Sequence, residues 1–423
     1  MTEEFLHFIW KHKLFNNNNI TSFNDEKIEI LNIGQPNYNA GPDFFNAQVK
    51  INNTVWAGNV EIHINSSDWL KHNHDKDNAY NNVILHVVEK NDIVIKRSNG
   101  EKIPAIKLNF DKKLLNNYEN LLSQQLWIPC EEHIKQIDKF TIDYWLNRLL
   151  INRLEKKTDN IKTKLFENKN DWQDVCYQQI ARNFGYNINA VPFELLAKSI
   201  PVKYLAKHND NLFQLEAMIF GQAGLLNDLI ENDEYHKNLK NEYNYLKNKF
   251  NLIPIDKYLW KYLRLRPSNF PTIRLSQFAN LIYKSKNLFS KIIESENIDE
   301  IKQLFSDIRT SDYWNNHYVF GKESPNKTKT LGKSFINLVL INSVVPLIFI
   351  YGKMHDNENM MNKALKYLEE IEPENNSIIA GWKKLGINPV NALYTQALIE
   401  LKNEYCIRRN CLQCHLGSKI IIF

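Results

Sequence analysis

With 423 residues, 43% of them hydrophobic, the chain is long enough for two or three sizeable cores. Its formal net charge of +5 is too small to demand a polyanionic partner, although a local basic patch would serve one. Five cysteines, an odd number in a long chain without a secretory leader, argue against a disulfide framework. The opening stretch MTEEFLHFIWKHKLF puts acids before apolar residues, the reverse of a secretory signal, so it reads as an amphipathic helix and a cytoplasmic location is expected.

Most of the strand signals lie in the first 110 residues. KIEILNIG alternates apolar and polar residues and stops at Gly34. Phe44 to Ile51 sets Phe45, Ala47, Val49 and Ile51 on one face, and Val55 to Ile64 returns with Trp56, Val60, Ile62 and Ile64 on one face. If Asn52 and Asn53 form a two-residue loop, facing residue numbers sum to 105 and Asp43 stands opposite Ile62. Asp43 then points away from Glu61 and His63, so a shared site needs a one-residue slip, by a bulge at Gly58 or a bend at Gly41-Pro42-Asp43. Ser66 to Tyr80 reads as a helix with a polar, solvated face carrying His72 and His74. VILHVVE suits a central strand in which His86 needs a partner or a metal, and DIVIKR and IPAIKL are short strands around a turn.

From about Phe110 the spacing turns helical. The expected class is therefore α+β: a mixed sheet with flanking helices over residues 1–110, then a mostly helical region over 111–423, with 321–333 as a candidate linker. The apolar run Phe335 to Tyr351 contains two Asn and a Pro and falls short of the roughly 20 residues a membrane span requires, so a kinked core helix is expected and no membrane partner.

Three groups carry candidate chemistry. Asp43 and Glu61 are carboxylates that a divalent cation would hold together, with magnesium or manganese suited to oxygen donors and His63 placed to bind metal, orient water or act as a base. The alternative is a turn-forming aspartate and a solvated edge-strand pair. His72, His74, Tyr80 and His86 are possible additions to the site. Cys406, Cys411 and Cys414 are clustered too tightly for packing to explain, and zinc or an iron–sulfur cluster with Cys130 as fourth ligand would account for them, His133 and His415 standing behind it. Cys176 reads as core. Arg264, Arg266 and Arg274, around two prolines and Phe270, are candidates for phosphate contact, the alternative being a stiff inter-helix connection.

Pro42-Asp43 followed by Glu61-x-His63, in a helix–strand–strand–strand–helix–strand order, resembles the PD-(D/E)XK nuclease superfamily over residues 1 to 110. The resemblance implies magnesium at the Asp and Glu and a metal-dependent nuclease acting on nucleic acid, DNA before RNA. His63 stands where a Lys is usual, a weaker electrostatic partner for a scissile phosphate. Members related to recombination exonucleases carry a Gln and a Tyr four apart on the next helix, where this chain has Lys76 and Tyr80. Some members hold a [4Fe-4S] cluster with one distant cysteine and a cluster of three. AGPDFFNA, GNVEIHINSSDWLKHNHDKDNAYNNVILHVV, RLRPSNFPTIRL and CIRRNCLQCHLG further resemble a bacterial family known only as a domain of unknown function. Two readings compete with an active nuclease: a catalytically inactive nuclease-like binding module, and a His/carboxylate metalloenzyme acting on a small substrate.

Overall fold

A computed structural model describes residues 1–228 and 230–423. The chain divides into two compact units, one of residues 1–145 and 401–423, the other of residues 146–400. Residues 111–145 and the cysteine-bearing C-terminal segment thus group with the sheet. The class is the expected α+β, a seven-stranded mixed sheet first and helices after it.

The first unit opens with α1 (Glu3–Lys11), which starts at a Thr2 cap and buries Phe5, Leu6, Phe8, Ile9 and Trp10. β1 (Ile20–Thr21), β2 (Lys27–Asn32), β3 (Gln35–Pro36), β4 (Phe44–Ile51) and β5 (Thr54–Asn65) follow. After the short helix α2 (Asp68–Lys71) come β6 (Val83–Lys90) and β7 (Ala105–Ile106). The sheet order is β1-β2-β4-β5-β6-β7, with β3 also on β4. β4 and β5 are antiparallel, and β5, β6 and β7 are parallel. The apolar run of β6 is buried from Val83 to Val88, as a strand covered on both faces must be.

The β4–β5 hairpin turns at Asn52, whose φ of 53° is left-handed, and pairs Ile51 with Thr54. The sum of 105 holds down to Ala47–Gly58, then becomes 104 at Phe44–Val60. The slip sits at neither Gly58 nor the Gly-Pro-Asp bend but between Phe44 and Ala47, where Asn46 takes φ 55°. Phe44 therefore joins Ala47, Val49 and Ile51 in the core in place of Phe45, and Trp56 stays 42% exposed.

The segment from Ser66 to Tyr80 is not one helix. α2 ends at Lys71, Asn73 reverses the chain at φ 60°, and two short 3₁₀ turns follow, the second capped by Asp77. DIVIKR contributes only a bridge between Lys96 and Lys102, because Asp92 is drawn to the backbone and hydroxyl of Ser67.

In the second unit, Lys333–Met354 is one continuous helical stretch with a π-helical turn at Leu340–Val344, just before Pro346. The wide turn accommodates the missing proline N–H. By length and composition this stretch could cross a membrane, but 78% of its most apolar window is buried. Residues 321–333 are not a linker: both flanks belong to this unit, and Lys329 is buried, donating to the Asn315 carbonyl and lying over the Tyr318 ring.

Candidate metal centre in the first unit

The slip at Asn46 brings Asp43 level with Glu61, and the two residues clamp each other across the hairpin. The Asp43 N–H donates to Glu61 Oε2 at 3.1 Å, and the Ile62 N–H donates to Asp43 Oδ2 at 2.9 Å. Glu61 and His63, two apart on β5, share a face. Both are buried, at 4% and 1% exposure.

After the reversal at Asn73, His74 is half-buried against the site where a solvated position was expected, while His72 stays exposed, as expected, and reaches the site only with its ring edge. His72 Nδ1 lies 3.2 Å from His63 Nε2, and His74 Nε2 lies 3.2 Å from Glu61 Oε1. Glu61 Oε1 is 3.5 Å from His63 Nε2. One nitrogen each from His63, His72 and His74 falls within 4.8 Å of the other two. Two donors sharing a tetrahedral ion with bonds of about 2.0–2.1 Å stand about 3.3 Å apart. These separations lie close to that edge, at the long end of the hydrogen-bond range.

Outer contacts fix these side chains. His86, fully buried on β6, sets its Nε2 2.9 Å from His63 Nδ1, the partner a metal-binding imidazole needs on its other nitrogen. Tyr80 stacks on His74 at 3.8 Å between centroids, so it supports a ligand rather than reaching into the site. Trp69 packs edge-on against both His74 and His86. His7, from α1, places Nε2 3.2 Å from Asp43 Oδ2. His7 escaped sequence reasoning, although it interrupts the apolar stripe of α1 as His86 interrupts β6.

Burial sets the electrostatics of the group. Burial, followed by the neighbouring Asp43 charge, pushes the Glu61 carboxyl up to about 9. Burial and then His86, His74 and His72 drive His63 down to about 2, and burial lowers His86 to about 4. Burial also lowers His74. For His7, burial pulls downward, but the hydrogen-bonded Asp43 with the charges of Asp43, Glu3 and Glu61 outweighs it and raises the group. Imidazoles held neutral are in the state from which a metal is bound, whereas the Glu61 carboxyl would have to release its proton to join them.

The arginines divide. Arg274 is buried at 5% exposure and commits its guanidinium to Gln277, Tyr186 and Asn269, over the Phe335 ring. It is a core residue of the second unit and is not free to meet phosphate. Arg264 and Arg266 are exposed, and Phe270 packs edge-on against Tyr262. Cys176 is core, as expected, while Cys130, Cys411 and Cys414 are buried thiols of the first unit.

A family model described as "Protein of unknown function (DUF2851)" matches residues 3–377, and the chain belongs to that family. No curated protein and no solved structure matches the chain.

Proposed function

We propose that this family member is a metal-dependent hydrolase whose substrate is a nucleic-acid phosphodiester, with Glu61, His63, His72 and His74 as the metal-holding group. The observation that carries the reading is the convergence of three imidazoles, one nitrogen of each within 4.8 Å of the other two, with Glu61 Oε1 3.2 Å from His74 and 3.5 Å from His63. With three nitrogen donors the site suits manganese, zinc or iron better than magnesium, which prefers oxygen. A divalent metal held by Glu61, His63, His72 and His74 would lower the pKa of a bound water and draw charge from a phosphoryl oxygen.

The chain's own residues supply the rest. Asp43 positions Glu61 through the reciprocal clamp, and His86 orients His63. His7, half-buried and paired with Asp43, is the group we assign to proton transfer. The nucleic-acid assignment rests on the hairpin bearing Asp43 and Glu61 beside a parallel strand, which resembles the nuclease layout, and on exposed Arg264 and Arg266 in the second unit.

A second reading, a metalloenzyme acting on a small substrate, draws on the same three imidazoles and on the withdrawal of Arg274 from the surface. The two are separated by assaying manganese-loaded protein on single-stranded DNA, duplex DNA, RNA and a small aryl phosphodiester. The nuclease reading expects DNA cleavage that falls about 100-fold or more in His74→Ala and is weakened by Arg264→Glu/Arg266→Glu. Turnover of the aryl ester alone, indifferent to the arginine reversals, would establish the small-substrate reading. Full activity in His74→Ala would refute both.

A further inference from the structure

Four cysteines of the first unit carry a separate inference. The last turn before the C-terminal segment, Leu401–Cys406, is wound as a π-helix, a wide form that gathers at functional sites. After it, Arg409 takes φ 56° and the chain folds tightly, the Cys411 N–H bonding the Arg409 carbonyl and the Cys414 N–H the Asn410 carbonyl. Cys414 then begins the helix His415–Ile422. Gly417 in its first turn packs on the Cys411 backbone so closely that a Cβ would come within 2.3 Å of the Cys411 oxygen.

The distant Cys130 is tied to this segment. Lys402 bonds the Trp127 carbonyl and lies 4.4 Å over the Trp127 ring, and Arg409 bonds the Leu122 and Gln124 carbonyls. The Cys130 thiol comes within electrostatic reach of Cys411 and Cys414, and the Cys406 thiol of all three others. The Cys414 sulfur receives backbone N–H groups from Leu416 and Gly417, which steady a thiolate. Lys402 stands near Cys406 and Arg409 near Cys411, both cations. Packing gives no reason to gather four thiols, since a small apolar residue serves a core without sulfur.

We infer that Cys130, Cys406, Cys411 and Cys414 are the ligands of an iron–sulfur cluster that closes the first unit. Each thiol releases its proton to solvent as the metal is bound. A single zinc ion with Zn–S bonds of about 2.3 Å would hold its sulfurs about 3.8 Å apart. Among the described residues, three ligand atoms all within 4.8 Å of one another occur at the histidines and not at the cysteines. The wider spacing fits a polynuclear group in which each thiolate takes its own part of the cluster. The inference is independent of the hydrolase reading, since no residue is shared.

The test is metal and acid-labile sulfide analysis of full-length protein purified without oxygen, alongside Cys411→Ser and the control Cys176→Ser. Iron and sulfide are expected together, with visible charge-transfer absorption, in the wild type and in Cys176→Ser, and at least a tenfold loss in Cys411→Ser. Should Cys411→Ser not fold, iron-edge absorption of the wild type reads the ligands directly, sulfur being expected. Zinc in place of iron, no metal at all, unchanged iron in Cys411→Ser, or nitrogen and oxygen ligation alone would each overturn the assignment.

Discussion

At the scale of single residues, Glu61 is held by two different kinds of contact, and they predict different losses. His74 and His63 face its Oε1, while the Asp43 N–H holds Oε2. Replacing a donor, as in His63→Ala or His74→Ala, removes a bond to the ion; replacing an outer group, as in Asp43→Ala, which deletes the acceptor of the Ile62 N–H, or His86→Ala, leaves the donor set but loosens it. Outer groups are worth about 10–100-fold in metal affinity. Manganese titrations should therefore show Asp43→Ala weakened by about that factor and His74→Ala by more. Equal effects, or none for Asp43→Ala, would mean the Asp43 side chain does not position Glu61. The Asp-Glu-x-His spacing was legible in the sequence because period-two alternation puts Glu61 and His63 on one face. His7 was not, since nothing in a helical stripe says which strand it will meet.

At the scale of elements, two asparagines decide the site. Asn46 absorbs the slip that aligns Asp43 with Glu61, and Asn73 reverses the crossover so that His72 and His74 face β5. Both sit at positive φ, where asparagine is tolerated and a β-branched residue is not. Asn46→Val should cost about 1–3 kcal/mol in urea unfolding and weaken manganese binding, because the relaxed strand returns toward the 105 register. Unchanged binding in a destabilised Asn46→Val would separate the bulge from the site. The need for a slip could be read from residue parity, but its location could not: hairpin arithmetic is blind to which residue accepts a left-handed backbone. The crossover misled for the same reason, its cap and acids announcing a helix that Asn73 ends after one turn.

At the scale of the whole molecule, order along the chain was readable from the change in apolar period from two to 3.6, whereas the division was not. The C-terminal segment belongs with the sheet through contacts such as Arg409 to Leu122, about which local sequence is silent. The second unit has its own half-buried charge to test. Lys157 donates to Asn342 and Gln396, and burial lowers it to about 7. Its folded pKa is below the unfolded value of about 10.4, so between those limits the unfolded chain binds more protons and stability rises with pH. Unfolding of this unit should become harder from pH 7 to 9, and Lys157→Met should flatten that slope; an identical slope in the variant would show that Lys157 is not its source. The central claim is the ion at the histidine–glutamate group, and the direct measurement is calorimetric titration of manganese, a hard ion that avoids thiolates, into metal-stripped wild type and His63→Ala/His74→Ala. The account predicts one binding site per folded chain in the wild type and none in the double variant. A folded wild type that takes up no manganese, or a double variant that binds it as well, would contradict it.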